Sequence, residues 1–446
     1  MARGLLTAPL MADNLQAVPG RDAAAIGPAW DLWRGRLPHL WPMAQSYLKV
    51  LAGTSGRLVL QAVYFLTLAN ALSLHDMGVF AACAAAGLML GNFAGLGFQS
   101  LAFRAAAGRR RLLGGYLALY YAAWALSVPL GLLLAVTLHA LLFADSLPLS
   151  TFLTLLAADV VCWRLVEAVH QVNNGLGRYS AASLAVILAS GARAGAALLF
   201  VAIGSASLDT WAGLYLAANA FAAAAAFALF RPRVRLRWRG RLFLGRLRAA
   251  LLCAFSVFMT DTGSEIDKLI LISLASERTA GIYAISTRIV DLTCVPMRTF
   301  YVLYSRRMIR EGRHAGVVRR SLFIEAGIFA LSFTTFAAFL ALLTLRPGLL
   351  GANVTTAYAL FGTLILVPAF RNLIEFHNEL YFAYERLRPR AIMSVTLIAL
   401  KSAALVMLAS WIADIRDWGP WLNLMFAALY LVSALGVYRA VSRSTP

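Results

Sequence analysis

The residues with chemical potential in this chain are ionisable side chains set inside long apolar runs. The stretch Cys253 to Arg307 holds the densest group. Asp261, Glu265, Asp267 and Lys268 sit in one run, and Arg288 and Asp291 sit in the next. Asp261, Glu265 and Lys268 are at i, i+4 and i+7, one helical face. Arg288 and Asp291, at i and i+3, share another. Elsewhere in apolar runs lie Arg57, Asp159, Arg164, Glu167, Arg193, Arg298, Glu325, Arg371, Glu375 and Lys401. A charge at membrane depth costs at least about 2.5 kcal/mol, so each needs a partner or a water-filled cavity. Arg57, Arg193 and Lys401 have no acid within four residues. Arg57, Arg193, Lys268, Arg288 and Lys401 are therefore read as a cationic cavity, with planar guanidinium forks that match a phosphate or diphosphate. Asp261, Glu265, Asp267 and Asp291 would pair with these cations or carry a coupling proton or Na⁺, since burial favours protonated carboxyls. Internal ion pairing between helices is the other reading of each charge, and it is preferred for Asp159, Arg164 and Glu167. Arg298, Glu325, Arg371 and Glu375 lie near helix ends and are expected to snorkel.

The elements that hold these residues follow from composition. Of 446 residues, 61% are hydrophobic and 13% charged, against about 25% charged in soluble domains. The chain is an all-α polytopic membrane protein. About twelve apolar runs approach the roughly 20 residues that a span requires: 46–71, 79–103, 112–143, 148–169, 180–204, 209–230, 250–274, 281–304, 320–345, 354–378, 390–412 and 419–438. Residues 1–45 read as a cytoplasmic tail, partly disordered or interfacial. Residues 46–230 read as a first six-helix bundle, 231–249 as a basic cytoplasmic linker, and 250–446 as a second bundle with a short tail.

Net charge is +20, and of the basic residues only Lys49, Lys268 and Lys401 are lysine. Arginines concentrate in alternate loops: four at 104–111, one at 178, eight at 231–248, six at 306–320, three at 386–390 and two in the tail. The intervening loops hold only Arg278, Arg346 and Arg416. This positive-inside pattern puts both termini in the cytoplasm and removes the need for a nucleic-acid partner.

An internal repeat spans the linker. Gly78-Val79-Phe80-Ala81 and Gly281-Ile282-Tyr283-Ala284 open corresponding helices, and each lies 26 residues before an arginine, Arg104 or Arg307. The halves are thus expected to be related by an axis along the membrane normal. Gly87, Gly91 and Gly95 form a small-residue series expected to let helices pack closely. No GxxxxGK[ST], HExxH or GxSxG motif occurs, the six histidines do not cluster, and Cys83, Cys162, Cys253 and Cys294 read as small apolar residues. The chain is therefore not read as an enzyme, and no cofactor is expected; coupling to H⁺ or Na⁺ stays open.

Ile266-Asp267-Lys268-Leu269-Ile270-Leu271, followed by Gly281-Ile282-Tyr283-Ala284 and Arg288, resembles the seventh and eighth helices of Wzx-type polysaccharide flippases. These belong to the multidrug/oligosaccharidyl-lipid/polysaccharide (MOP) exporter superfamily. Gly56-Arg57, Met77-Gly78-Val79-Phe80, Gly95-Leu96-Gly97 and Arg104 resemble that family's N-terminal pattern. The resemblance implies two six-helix bundles around a central cavity in the bacterial inner membrane. It also implies alternating access that moves a polyprenyl-diphosphate-linked oligosaccharide or polysaccharide unit to the periplasmic leaflet. Partners would be membrane lipids and the glycosyltransferases and polymerase of the same pathway. An H⁺- or Na⁺-coupled multidrug exporter of like architecture is the alternative. A membrane glycan polymerase or ligase is disfavoured by the short outer loops.

Overall fold

A computed structural model describes residues 56–204, 207–311, 317–384 and 386–442. The expectations for residues 1–45 lie outside them. In hydrocarbon each backbone N–H and C=O must be satisfied within its own segment, which is why these apolar runs form helices. The first half contains α1 (residues 56–71), α2 (Leu74–Gly91), α3 (Phe98–Gly108), α4 (Leu113–Leu142), α5 (Leu149–Ala157), α6 (Arg164–Gly175), α7 (Tyr179–Ile203) and α8 (Leu208–Phe230). The second contains α9 (Gly240–Leu274), α10 (Glu277–Glu311), α11 (Val317–Leu345), α12 (Ala352–Phe361), α13 (Val367–Ala383), α14 (Leu387–Trp411) and α15 (Trp418–Ser442). Taking α2–α3, α5–α6 and α12–α13 as interrupted single segments, each half is a six-segment bundle. α9 begins ten residues before the expected span, so the non-helical part of the linker is confined to the residues before Gly240.

Among the described residues eight helices are long and apolar enough to cross a membrane. The other expected spans are the first, which starts outside the described residues, and the three that bear breaks or charge. Between α2 and α3 the chain turns through Gly95 (φ 82°), Leu96 (φ 50°) and Gly97 (φ 78°). Three consecutive left-handed residues cannot continue a right-handed helix. Between α5 and α6, Ala158–Trp163 forms a π-helical turn, a wider winding often found at functional sites. Between α12 and α13 the chain breaks at 362–366, ahead of Pro368, whose ring suits the first turn of the helix that follows. α10, unbroken, carries Arg288 and Asp291.

The repeat glycines mark the place where the halves meet. A Cβ on Gly78 would lie 1.9 Å from the Glu277 carbonyl oxygen, and one on Gly281 would lie 2.0 Å from that of Leu74. α2 and α10 thus cross backbone to backbone, and each repeat supplies the glycine that admits the other. Around this crossing one core joins both halves, with Leu72, Met77 and Phe80 beside Ile282, Ile285 and Phe361. Farther along the bundles the cores separate. One holds only second-half residues such as Met297, Phe376 and Tyr381, and another only first-half residues such as Val166, Ala185 and Ala226. The start of α9 is the exception: Leu242, Phe243 and Ala250 pack with Phe98, Leu119 and Tyr120 of the first half.

The glycine series departs from the expected helix–helix packing. A Cβ on Gly87 would meet the Asp159 side chain at 3.0 Å, and one on Gly91 would meet Arg164 Nε at 2.6 Å. These glycines make room for two charged side chains, and Gly95 belongs to the break.

Candidate functional site

Between the halves lies a cavity of about 330 Å³. α1 lines it with Tyr64, Phe65 and Leu68, and α2 with Met77, Phe80, Ala81, Ala84 and Leu88. The π-helical turn contributes Asp159 and Trp163, α7 Arg193, and α8 Tyr215. From the second half come Glu265 and Lys268 of α9, and Ala284, Thr287, Arg288 and Asp291 of α10. Aromatic walls with a few convergent charges are the usual build of a small-molecule site, and this volume is near the lower end of such pockets.

The first-half wall is a closed polar network. Tyr215 Oη donates to Asp159 Oδ1 at 2.9 Å, and Arg193 Nη2 lies 3.5 Å from the same oxygen. Arg193 Nε and Nη2 both donate to Asn219 Oδ1, at 2.9 and 2.7 Å. The guanidinium carbon sits 4.4 Å from the Trp163 ring centroid and 5.4 Å from that of Tyr215, an arrangement that attracts a cation to the ring faces. Arg164, on the far side of the π turn, turns away from the cavity. It pairs with Glu167 at 2.7 Å and donates to the Leu88 carbonyl at 2.7 Å. That pair lies within one helix, where a pair between helices was expected. Asp159 makes the expected kind of pair, with Arg193 on α7.

The second-half wall divides into two pairs and one open charge. Lys268 Nζ pairs with Glu265. Asp291 pairs with Arg371 of α13 at 2.7 Å, so Arg371 does not snorkel. Arg288 is half-buried in the lining and forms no ion pair with a described residue.

Lys401 departs from the expected cavity set. It is absent from the lining, and its Nζ donates to Asp267 Oδ2 at 3.0 Å and to the Gly263 carbonyl at 3.1 Å. Tyr283 Oη donates to the same carboxylate oxygen at 3.0 Å. Asp267 and Lys401 border instead a space of about 10 Å³ inside the second half, room for about one water. Asp261 also stays outside the cavity, where it accepts from Asn92 Nδ2 at 2.9 Å and ties the break after α2 to α9. Arg57, exposed at the start of α1, is outside the lining but within electrostatic range of Arg288 and Arg193.

Two features escaped sequence reasoning. Arg193 is the fifteenth residue of α7, and Lys401 is the fifteenth of α14. These are the fifth segments of the two halves, so the cations are repeat equivalents, a signal that a comparison of the halves holds. The second feature is a buried cluster in the second half. His377 Nε2 lies 3.0 Å from Glu325 Oε1, and its Nδ1 lies 2.9 Å from Ser433 Oγ. Tyr430 donates to Glu325 at 2.7 Å, and Tyr438 also bonds to it. Glu325 therefore does not snorkel. Its partners come from α13 and α15, and no spacing along α11 announces them. Among the described residues no group of three or more His, Cys, Asp or Glu side chains could hold a metal ion.

No protein-family profile and no curated protein matches the sequence. Solved structures do match the fold. An inward-facing multidrug resistance MATE family transporter of the MOP superfamily aligns with TM-score 0.61 at 16% identity, covering 86% of this chain and 96% of that one. A MOP superfamily transporter from Pyrococcus furiosus, described as having a binding pocket of reverse polarity, aligns with TM-score 0.58 at 14% identity, covering 90% and 96%. An outward-facing MATE family transporter gives TM-score 0.56 at 16% identity, with 90% and 96% covered. The chain is a multi-pass membrane protein with the fold of MOP superfamily transporters.

Proposed function

We propose that the chain is an alternating-access exporter whose substrate carries a phosphate or diphosphate, namely a polyprenyl-diphosphate-linked glycan unit. It would work in a bacterial inner membrane with both termini and the arginine-rich linker in the cytoplasm. The observation that carries this reading is Arg288: a cavity-lining guanidinium without an acid partner among the described residues, in the field of Arg57. An unpaired cation in a low-dielectric cavity favours an incoming anion, and a guanidinium binds phosphate oxygens through two parallel N–H donors. Arg193 and Lys268 are each partly engaged by an acid, Asp159 and Glu265. A diphosphate would draw on them by competing with those carboxylates. Lys401, held by Asp267 within the second half, would position α14 against α9 and would not touch substrate. The polyprenyl chain would remain in lipid. Exchange between states would be rocking of one bundle on the other, which makes and breaks the Gly78–Gly281 crossing. Glycosyltransferases and a polymerase would supply and consume the substrate.

A second reading is supported by the other half of the lining. Asp159, Glu265 and Asp291 with Tyr64, Phe80, Trp163 and Tyr215 would suit an aromatic cation, as in a proton- or Na⁺-coupled multidrug exporter. Proteoliposomes separate the two. Translocation of a fluorescent polyprenyl-diphosphate sugar should proceed with the wild type and fall at least about tenfold with Arg288→Gln, the loss of one charge-assisted contact of about 1.5–3 kcal/mol. Transport of a cationic dye with no diphosphate-sugar flux, or full flux by Arg288→Gln, would refute the phosphate reading.

A further inference from the structure

A second cavity, of about 300 Å³, lies away from the first, where the linker between the halves meets the start of α4. Arg110 and Arg111 line it from one side and Arg235, Arg237 and Arg239 from the other. The linker is laid against α4 by its backbone. Arg237 N–H donates to the Gly114 carbonyl at 3.3 Å, and a Cβ on Gly114 would lie 2.1 Å from the Arg235 carbonyl oxygen. Only glycine lets the linker backbone come this close.

Five arginines therefore border one open space, and the segments that carry them hold no acid. Residues 104–144 and 210–260 contain no Asp or Glu. None of the five forms an ion pair with a described residue. Arg110 spends one donor on the Leu176 carbonyl, at 3.2 Å. Converging like charges raise the local potential and concentrate a counter-anion there.

The linker's own sequence indicates where that anion comes from. Between Arg231 and Arg239 arginine alternates with Pro232, Val234, Leu236 and Trp238, and the backbone is neither helix nor strand, with a tight turn where Val234 N–H donates to the Pro232 carbonyl at 2.9 Å. From Arg235 to Arg239 the three arginines line the cavity, and Leu236 and Trp238 between them do not. Leu236 and Trp238 are 55% and 60% exposed, and Leu244 on the next turn of α9 is 74% exposed. An exposed Trp and leucines at the ends of spanning helices belong in the interfacial zone of a bilayer. A soluble phosphate compound would leave this apolar rim in water.

We propose that this cavity binds the phosphate of an anionic phospholipid headgroup from the leaflet that the linker faces. Arg235, Arg237 and Arg239 hold it from the linker and Arg110 and Arg111 from the start of α4, while Leu236 and Trp238 lie among the acyl chains. The bound lipid joins the segment that connects the two halves to a helix of the first half.

Native mass spectrometry of the full chain in mixed phosphatidylglycerol/phosphatidylcholine, with competition by inorganic phosphate, tests this. Wild type is expected to retain phosphatidylglycerol over phosphatidylcholine. R235Q/R237Q/R239Q should reduce that preference on the order of a hundredfold, from about fivefold per arginine. R110Q/R111Q, which leaves the linker intact, should reduce it on the order of twenty-fivefold by the same factor. The pair guards against misfolding of either variant, and melting in pure phosphatidylcholine should match the wild type. No preference for phosphatidylglycerol in the wild type, or full preference in both variants, would overturn the proposal. Displacement of the lipid by millimolar inorganic phosphate would also overturn it and leave a site for soluble phosphate.

Discussion

Substituting Gly78 by Ala should open the cavity at the end where α2 crosses α10. The added methyl carbon would sit 1.9 Å from the Glu277 carbonyl oxygen and 2.8 Å from the Gly281 nitrogen. Both are backbone atoms of a helix and cannot rotate aside. To reach even 3.0 Å from that oxygen, the shortest approach real Cβ atoms show, the helices must part by about 1.1 Å at this point. Overpacking of this kind costs about 1–3 kcal/mol, and the cost falls only on the arrangement in which the two helices touch here. Helix propensity works the other way, since Ala is favoured over Gly by about 1 kcal/mol, so α2 itself does not weaken. A bias of 1–3 kcal/mol shifts a two-state population by about 5- to 150-fold. The assay is maleimide labelling of Ala81→Cys, a cavity-lining position one turn inward of Gly78, with Cys83, Cys162, Cys253 and Cys294 replaced by Ala. Its labelling rate from the Gly78 side of the membrane should rise by that factor when Gly78→Ala is added. An unchanged rate in a normally folded variant would refute the reasoning, because it would mean that the halves absorb the methyl without separating.

Two further outcomes follow from the geometry. Asp267→Asn removes the counter-charge of buried Lys401 and should destabilise the protein by about 3–5 kcal/mol. Lys401→Met in addition should restore most of the loss in detergent unfolding, and equal melting of single and double variants would count against a true ion pair. At the Gly78 end, Ser146 donates to Glu277 at 2.6 Å, which holds the Glu277 carboxyl below its ordinary range. A depressed folded-state pKa gives stability that is complete above the unfolded value of 4.5 and is lost as pH falls through the lower folded value. Melting of Ser146→Ala should therefore fall below wild type near pH 6 and converge on it towards pH 3; parallel curves would sink the assignment.

The twelve apolar runs were legible because a bilayer demands about 20 uninterrupted apolar residues whatever the fold. The breaks were less so. Hydropathy reports side chains, and the turn at 95–97 and the π turn at 158–163 are backbone events within apolar sequence. Gly95-Leu96-Gly97 was visible as a motif but not as an interruption. The site was legible as a set of residue types and not as a set of contacts. Spacing finds partners along one helix, as for Arg164 with Glu167. The partners of Arg193, Arg371 and Lys401 lie on other helices, at Asp159, Asp291 and Asp267. The same limit put Lys401 in the cavity when the fold places it behind the wall. The repeat glycines gave more than their spacing promised, since a motif read as a marker of duplication is also the contact between the duplicates.

α9 is a rod that the two halves share. At 35 residues it is about 52 Å long. Its first turns are fixed in the first half beside Phe98 and Tyr120, and its last turns carry Glu265, Asp267 and Lys268 in the second. Near Ala250 it rests on Gly97, where a Cβ would lie 2.0 Å from the Ala250 carbonyl oxygen. A second tie to the first half, Asp261 to Asn92, lies one turn before Glu265. α9 is thus held to the first half at both Gly97 and Asn92, and Glu265 and Lys268 enter the cavity wall from a helix that both halves brace.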